Sequence, residues 1–391
     1  MKIAIVTFVH AYNYGAELQC FALQYKLRSM GYDAEVLNIF RPSDEEYKHT
    51  KAADKKFSQL YKHKSVSDKK AKRHAFIANI LDKILKIVYF KKYRDRKNNF
   101  DVFHVKFTKL SNESFFNFCD LYNRTWNYSH FVVGSDQVWN YSCPFSIEPY
   151  MLTFVTNAKK ISYAASIGHS EIPKELHPFY KKHITSFDFV SIREEQGTKI
   201  VKQITKREDI CTVLDPTLLL TKKEWERIFK LKQSQKKPYI LLYLLSRSSY
   251  SVELAIDLAK RKDWDIKIIT VGVIPQYNYK NITYICGASA AIFVSLFYGA
   301  SFVITNSFHG TAFSVNFNIP FISTTRNDKR YNSRLENILK IVNLEKRLVY
   351  EHTLDFKIGD DLINEDFTSV NVALNKEREK SLNFIVRSLA E

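Results

Sequence analysis

The sequence predicts an α/β protein built as two parallel-sheet domains, and three observations carry that expectation. Short β-branched or aromatic runs alternate with helical stretches, the pattern of parallel strands joined by crossover helices. At 391 residues the chain is too long for one ordinary core, so two domains of about 150–200 residues are the natural division. A charged stretch at 220–238 then breaks the alternation and ends in a proline before a fresh strand. That texture places the boundary at 225–237, with a first domain over 1–225 and a second over 237–372. Residues 373–391 read as a helix that could cross back onto the first domain.

Strand interiors are expected at 2–8, 131–134, 161–165, 189–192, 212–214, 239–245, 266–271, 282–285, 302–305 and 321–323. The opening run, MKIAIVTFVHA, has one lysine and leads straight into polar YNYGAELQ, so it reads as a buried strand and not as a leader. Residues 288–304 are interrupted by Ser289, Ser295, Gly299 and Ser301, which fits a buried helix followed by a strand better than a membrane span. Apolar content of 45% with 26% charged residues is that of a globular protein. Five scattered cysteines, Cys20, Cys119, Cys143, Cys211 and Cys286, show no C-x-x-C spacing; reduced thiols of a cytoplasmic protein, with no zinc site, are expected.

The formal charge of +18 is local, because about +10 of it falls between residues 42 and 107, where Lys55-Lys56, Lys69-Lys70 and Lys91-Lys92 recur. Within that stretch Phe76, Ile77, Ile80, Leu81, Ile84, Leu85 and Val88 keep helical spacing, so a basic helical insertion is expected at about 43–107. It reads as a solvated insertion, as a peripheral contact with an anionic membrane surface, or as a cationic face for a diphosphate-bearing acceptor. No base-reading motif accompanies it, and nucleic acid is not expected as a partner.

Polar groups collect where expected strands end. After the first strand, residues 10–19 form a turn with Gly15 opening a helix whose apolar face is Leu18, Phe21, Ala22, Tyr25 and Leu27. After the strand at 131–134, Ser135, Asp136 and Gln137 are well placed for a hydroxyl-rich ligand, and Trp139 offers a flat face of the kind sugars pack against. Arg193 ends another strand, either as a surface ion pair with Glu194 or Glu195 or as a fork for carboxylate or phosphate. Asp215-Pro216 reads as a chain-turning element, and Asp263-Trp264-Asp265 as a loop.

The stretch at 301–322, SFVITNSFHGTAFSVNFNIPFI, joins a buried strand to a helix start. Asn306 and Ser307 supply cap chemistry, Gly310 lets the backbone approach a ligand, and His309 would lie beside an anion held at the helix N-terminus. Arg326, Lys329 and Arg330, with Arg334, make a second anion clamp at the end of the next strand. Neither G-x-G-x-x-G nor G-x-x-x-x-G-K-[ST] occurs, which disfavours dinucleotide redox chemistry and P-loop phosphoryl transfer.

NYGAELQ, VVGSDQVWN, SIREEQ with VLDPTLLL, and ITNSFHGTAFSVNFNIPFI, in this order and spacing, resemble the bacterial polysaccharide pyruvyl transferase family over about residues 2–349. The resemblance implies two Rossmann-like domains in a glycosyltransferase-B-like architecture, with the sites converging on a cleft. It also implies transfer of the pyruvyl unit of phosphoenolpyruvate onto two hydroxyls of a sugar, forming a cyclic ketal and releasing phosphate, with no metal or other cofactor. The acceptor implied is a lipid-linked precursor of a cell-surface glycan, and the location the cytoplasm, with peripheral contact at the inner face of the membrane. Carried over by motif, His309 is the proton-transfer group or phosphate partner, Arg193 clamps the donor, and Lys329 or neighbouring Arg330 contacts it. Asn306, Ser307, Gly310 and Arg334 would join them at phosphoenolpyruvate, while Asn13, Tyr14, Gln19, Ser135, Asp136 and Trp139 would face the sugar. The family's usual entry to the helix before the histidine strand is absent here, where residues 287–293 read GASAAIF. The competing functions are a nucleotide-sugar glycosyltransferase and a non-catalytic binding protein for anionic polymers.

Overall fold

Two parallel sheets organise the protein, whose computed structural model describes residues 1–40, 90–116, 119–122, 124–143, 149–232, 237–270, 277, 279–326, 329–353 and 355–390. Met1–Arg193 and Gly197–Thr212 form one unit, and Glu194–Gln196 with Val213–Glu391 form the other. Among the described residues the first unit has a seven-stranded sheet: β1 (Lys2–Val6), β2 (Asp33–Ile39), β3 (Leu110–Phe115), β4 (His130–Val133), β5 (Lys159–Ala165), β6 (Phe189–Ile192) and β7 (Cys211–Thr212). Their order is β3-β2-β1-β4-β5-β6-β7, and every pairing is parallel. The order reverses between β1 and β4, which leaves a gap at their carboxyl ends where ligands of such sheets bind.

That gap is bridged by side chains. Asn13 starts the helix Tyr14–Ser29, its Oδ1 accepting from the amides of Gly15 (2.9 Å) and Ala16 (3.3 Å). Gln19 on this helix is fully buried; its Nε2 donates to Thr7 Oγ1 at 2.9 Å and its Oε1 accepts from Ser135 N at 2.9 Å. Thr7 Oγ1 in turn donates to Ser135 O at 3.2 Å, and Ser135 Oγ donates to Ala164 O at 2.8 Å. One amide side chain therefore ties together the ends of both strands at the reversal. Gly134 makes the turn possible, since its φ is +111° and a Cβ there would lie 2.2 Å from Tyr163 O.

Two strands of this sheet were not anticipated, for readable reasons. β2 carries Glu35 and Asn38, and β3, LSNESF, is a half-exposed edge strand whose polar face hides its pairing. Gln24 holds β3 in place, donating to Lys109 O at 2.7 Å and accepting from Lys109 N at 2.8 Å. Of the basic insertion, the helix Phe90–Phe107 is described, with Phe100 and Phe103 buried against Tyr14 and Phe21. The amphipathic run expected at 76–88 lies outside the described residues.

The second unit repeats the topology with β8 (Tyr239–Tyr243), β9 (Asp265–Thr270), β10 (Ile282–Cys286), β11 (Phe302–Thr305), β12 (Phe321–Thr325) and β13 (Leu348–Tyr350), ordered β10-β9-β8-β11-β12-β13. Its reversal falls between β8 and β11. The helix Ala290–Tyr298, capped by Ser289, precedes β11 as expected for residues 288–304. Asp263 closes the helix Ser249–Lys262 and pairs with Lys237 at 3.1 Å, so the Asp-Trp-Asp loop is structural.

The expected boundary at 225–237 is corrected to Thr212–Val213. The charged stretch is the outer face of an amphipathic helix, Lys222–Phe229, whose buried Trp225 meets Phe313 at 5.3 Å between ring centroids and donates from Nε1 to Thr217 O at 3.2 Å. The final helix, Thr368–Ala390, belongs to the second unit as well: Arg378 donates to Leu218 O (2.7 Å) and Asn316 Oδ1 (2.6 Å), and Ser381 Oγ accepts from Leu214 N (2.9 Å). Burial pulls the Arg378 guanidinium down to about 10.

Gly134→Ala should destabilise the protein by about 3 kcal/mol, because both a positive φ and the contact with Tyr163 must be relieved. Urea unfolding measures this, and a loss below about 1 kcal/mol would mean that β4 and β5 can separate freely.

Candidate active site

In the second unit the site is built outward from β11. Thr305, its last residue, donates from Oγ1 to Tyr243 O at 2.6 Å and accepts from Ser307 N at 3.1 Å. Asn306 crosses the reversal, its Oδ1 accepting from Leu245 N (2.7 Å) and its Nδ2 donating to Ser246 O (2.9 Å) and Oγ (3.0 Å). Ser307 caps the helix Phe308–Phe317, accepting from Gly310 N at 3.4 Å. Gly310 admits Thr305 and not a ligand: a Cβ there would lie 2.3 Å from Thr305 Oγ1. The polar groups of Asn306 and Ser307 that were expected at phosphoenolpyruvate are thus engaged in building the strand-to-helix turn.

His309 follows on the first turn of that helix, 7% exposed, and its Nε2 has no hydrogen-bond partner among the described residues. Asp215 lies beside it, with Oδ2 3.7 Å from Nε2, too far for a direct hydrogen bond. Asp215 is 1% exposed and held rigidly, its Oδ1 accepting from Thr217 N (3.0 Å) and Thr217 Oγ1 (2.8 Å). The Asp-Pro pair read as a chain-turning element does turn the chain, capping the helix Pro216–Leu219, and also sets a carboxylate beside the imidazole. Sequence reasoning missed that role because an Asp before Pro is adequately explained as a cap.

Lys329 and Arg330 open the helix Lys329–Ile341; their side chains lie outside the described residues. Asn332 ties this helix to the end of β12, bonding Thr325 Oγ1 and donating to Arg326 O at 3.0 Å. Arg334, one turn in, is half-buried, and Arg326 projects into solvent with Nε 3.8 Å from Glu351 Oε2.

In the first unit the structure brings Arg193 and Asp136 together. Arg193 is 3% exposed and its Nη2 lies 3.5 Å from Asp136 Oδ1, so the arginine read as a surface group is buried beside a carboxylate of its own unit. Asp136 adopts φ +69° directly after Ser135, and its carbonyl accepts from Ser166 N at 2.9 Å. Glu195 Oε2 lies 3.2 Å from Lys340 Nζ, and the Glu195 amide donates to Asn337 Oδ1 at 3.0 Å.

Several residues expected to face a sugar are internal. Trp139 is fully buried, donates from Nε1 to Tyr150 O at 2.9 Å and meets the Phe187 ring edge-on, leaving no face for stacking. Tyr14 is fully buried against Phe100. Gln19 and Ser135 hold the strand reversal, and Asn13 is a helix cap that remains partly exposed. Strand-end position alone does not distinguish a side chain pointing out from one pointing into the layer beneath, which is why buried Trp139 and Tyr14 could be read as facing a ligand.

Among the described residues no group of His, Cys, Asp and Glu is arranged to hold a metal ion, and no helix is long and apolar enough to cross a membrane. Cys20, Cys143, Cys211 and Cys286 form no disulfide among the described residues.

Comparison with solved structures gives likenesses over the full length at low identity. The UDP-GlcNAc 2-epimerase of Neisseria meningitidis bound to UDP-GlcNAc is 11% identical with a TM-score of 0.46, covering 100% of both chains. The UDP-GlcNAc 2-epimerase of Methanocaldococcus jannaschii is 13% identical with a TM-score of 0.45, covering 100% of this chain and 99% of that one. The heptosyltransferase WaaC of E. coli with ADP is 12% identical with a TM-score of 0.41, covering 97% and 100%. Comparison with curated proteins found no significant match. The family comparison reaches further: the model of polysaccharide pyruvyl transferases matches residues 13–328, from the Asn13 cap through the strand-to-helix turn that carries His309, and the chain belongs to that family.

Proposed function

We propose that the protein is a ketal pyruvyltransferase, moving the pyruvyl group of phosphoenolpyruvate onto two hydroxyls of one sugar in a lipid-linked glycan precursor. The observation that carries this reading is the buried imidazole of His309, unpartnered at Nε2 and set 3.7 Å from the fixed carboxylate of Asp215. Family membership supports the reaction class.

The chemistry asks for little else. Protonation at the methylene carbon of the enol phosphate leaves an oxocarbenium-like centre at the central carbon, which one sugar hydroxyl attacks. Phosphate departs, and a second hydroxyl closes the ketal. His309 is the proton donor in this scheme, and Asp215 balances the positive charge the ring carries while protonated. Arg193 and Lys329 are the cations proposed for the donor's carboxylate and phosphate, Lys329 sharing that role with Arg330 and Arg334. Asp136 and Asn13 remain as polar groups for the acceptor. The donor is already activated, so the scheme calls on no cofactor. The lysine-rich stretch at 42–107 supports a lipid-linked acceptor by favouring an anionic membrane surface.

Incubation with phosphoenolpyruvate and a lipid-linked hexose or hexosamine acceptor should release phosphate and yield a product carrying one pyruvyl ketal by mass analysis; consumption of a nucleotide sugar instead would overturn the reading. His309→Ala should lower turnover by about 10²-fold or more with the circular dichroism spectrum unchanged. Asp215→Asn, which keeps the helix cap, should lower kcat by about 10-fold to 100-fold while the melting temperature holds. Near-normal kcat in either variant removes that residue from the mechanism. Replacing four lysines between Lys55 and Lys92 by glutamine should weaken binding to vesicles containing anionic lipid at low salt, and unchanged binding would leave the basic stretch without that role.

A further inference from the structure

A second histidine is built into the carboxyl end of the first sheet. His10 follows β1 with φ +59°, in the left-handed region that a branched or bulky residue occupies only when its surroundings hold it there. Its ring lies flat on Phe40, with centroids 4.0 Å apart and planes 10° from parallel. Nε2 lies 2.6 Å from Asn38 Oδ1, and Asn38 is itself oriented by Nδ2 donating to Ser114 Oγ at 2.8 Å. An amide oxygen can only accept, so Nε2 carries the hydrogen when the ring is neutral, and Nδ1 keeps a bare lone pair. Nδ1 has no hydrogen-bond partner among the described residues, and the side chain is partly exposed.

Beneath this ring lies a buried contact between a histidine and a glutamate. His104, from the helix Phe90–Phe107, places Nε2 2.8 Å from Glu17 Oε2, with side chains 4% and 0% exposed, and its ring centroid is 5.2 Å from that of His10. Arg96 on the same helix donates from Nη2 to Tyr12 O at 2.5 Å, fixing the turn that presents His10. Burial lowers the affinity of His10 for a proton, as does the neighbouring His104, against the opposing pull of the Asn38 hydrogen bond, Glu17 and Asp101. The ring is therefore neutral near pH 7, with a fixed tautomer and one open nitrogen. These are the properties of a general base, and the reaction proposed above needs one wherever a sugar hydroxyl becomes a nucleophile.

We infer that His10 is a proton acceptor for an acceptor-sugar hydroxyl bound at the carboxyl end of the first sheet, an inference that rests on the pyruvyl-transfer reading. The hydroxyl O–H bond breaks, its proton passes to Nδ1, and the oxygen's electron pair forms the bond to the central carbon of the enolpyruvyl unit as the methylene carbon gains a proton. The proton on Nδ1 then passes to solvent, restoring the base for the second hydroxyl.

The test uses the full-length enzyme with phosphoenolpyruvate and a glycan acceptor, following phosphate release across pH. In the wild type kcat should fall on acidification, along a limb lying below the ordinary histidine value of about 6.5. His10→Gln should lower kcat by about 10²-fold, lose that limb and leave phosphoenolpyruvate affinity within about twofold. His10→Ala should regain activity with added imidazole. Asn38→Ala, which removes a bond favouring the protonated ring, should move the limb to lower pH, and this decides the matter if the His10 variants do not fold. A His10→Gln enzyme with kcat within about twofold of wild type and an unchanged limb overturns the inference while leaving the pyruvyl-transfer reading intact. Wild-type enzyme that releases no phosphate overturns both.

Discussion

Where neighbouring parallel strands send their chains in opposite directions, the backbone groups at the gap have no ladder to join, and side chains must complete it. The protein meets that constraint twice with an amide. Gln19 spans the reversal between β1 and β4, and Asn306 spans the one between β8 and β11. Each carboxamide supplies both a donor and an acceptor, which is what two strand ends presenting a mixture of N–H, C=O and hydroxyl groups require. The residues proposed to carry chemistry, His10 and Asp136 in one unit and His309 in the other, lie within a few residues of these bridges, so the bridges fix the backbone from which they project.

Several ionisable groups near these strand ends are buried and paired. Asp215 gives one oxygen to its own helix start and faces His309 with the other. Arg193 faces Asp136, and Glu17 faces His104. A buried pair broken on one side leaves an uncompensated charge, so each such contact constrains geometry more strongly than its net contribution to stability implies. Arg347 shows the purely architectural version: fully buried, it donates to the carbonyls of Phe321 and Leu362 and pairs with Glu365, joining β12 to the segment before the last helix. Nothing in residue type separates that arginine from Arg193.

How much was legible follows the same line. Strands with continuous apolar interiors, such as β8 and β11, announced themselves, whereas β3 did not, because an edge strand needs only one covered face and LSNESF shows few apolar residues. The unit boundary was misplaced because a charged, amphipathic helix resembles a linker until Trp225 is seen beneath it. Trp139 and Tyr14 looked like ligand-facing aromatics and proved to be core, since a residue near a strand end can turn inward as readily as outward.

The α/β alternation, the concentration of positive charge between residues 42 and 107 and the strand-to-helix turn around His309 were determined by the sequence itself, because apolar periodicity, charge and capping residues act locally along the chain. Only the tertiary structure decided which polar side chains are spent on construction and which are left for chemistry. Asp215 meets His309, Arg193 meets Asp136 and His104 meets Glu17 across long stretches of chain, and a contact of that kind is set by how helices pack on a sheet, which no local pattern of residues encodes.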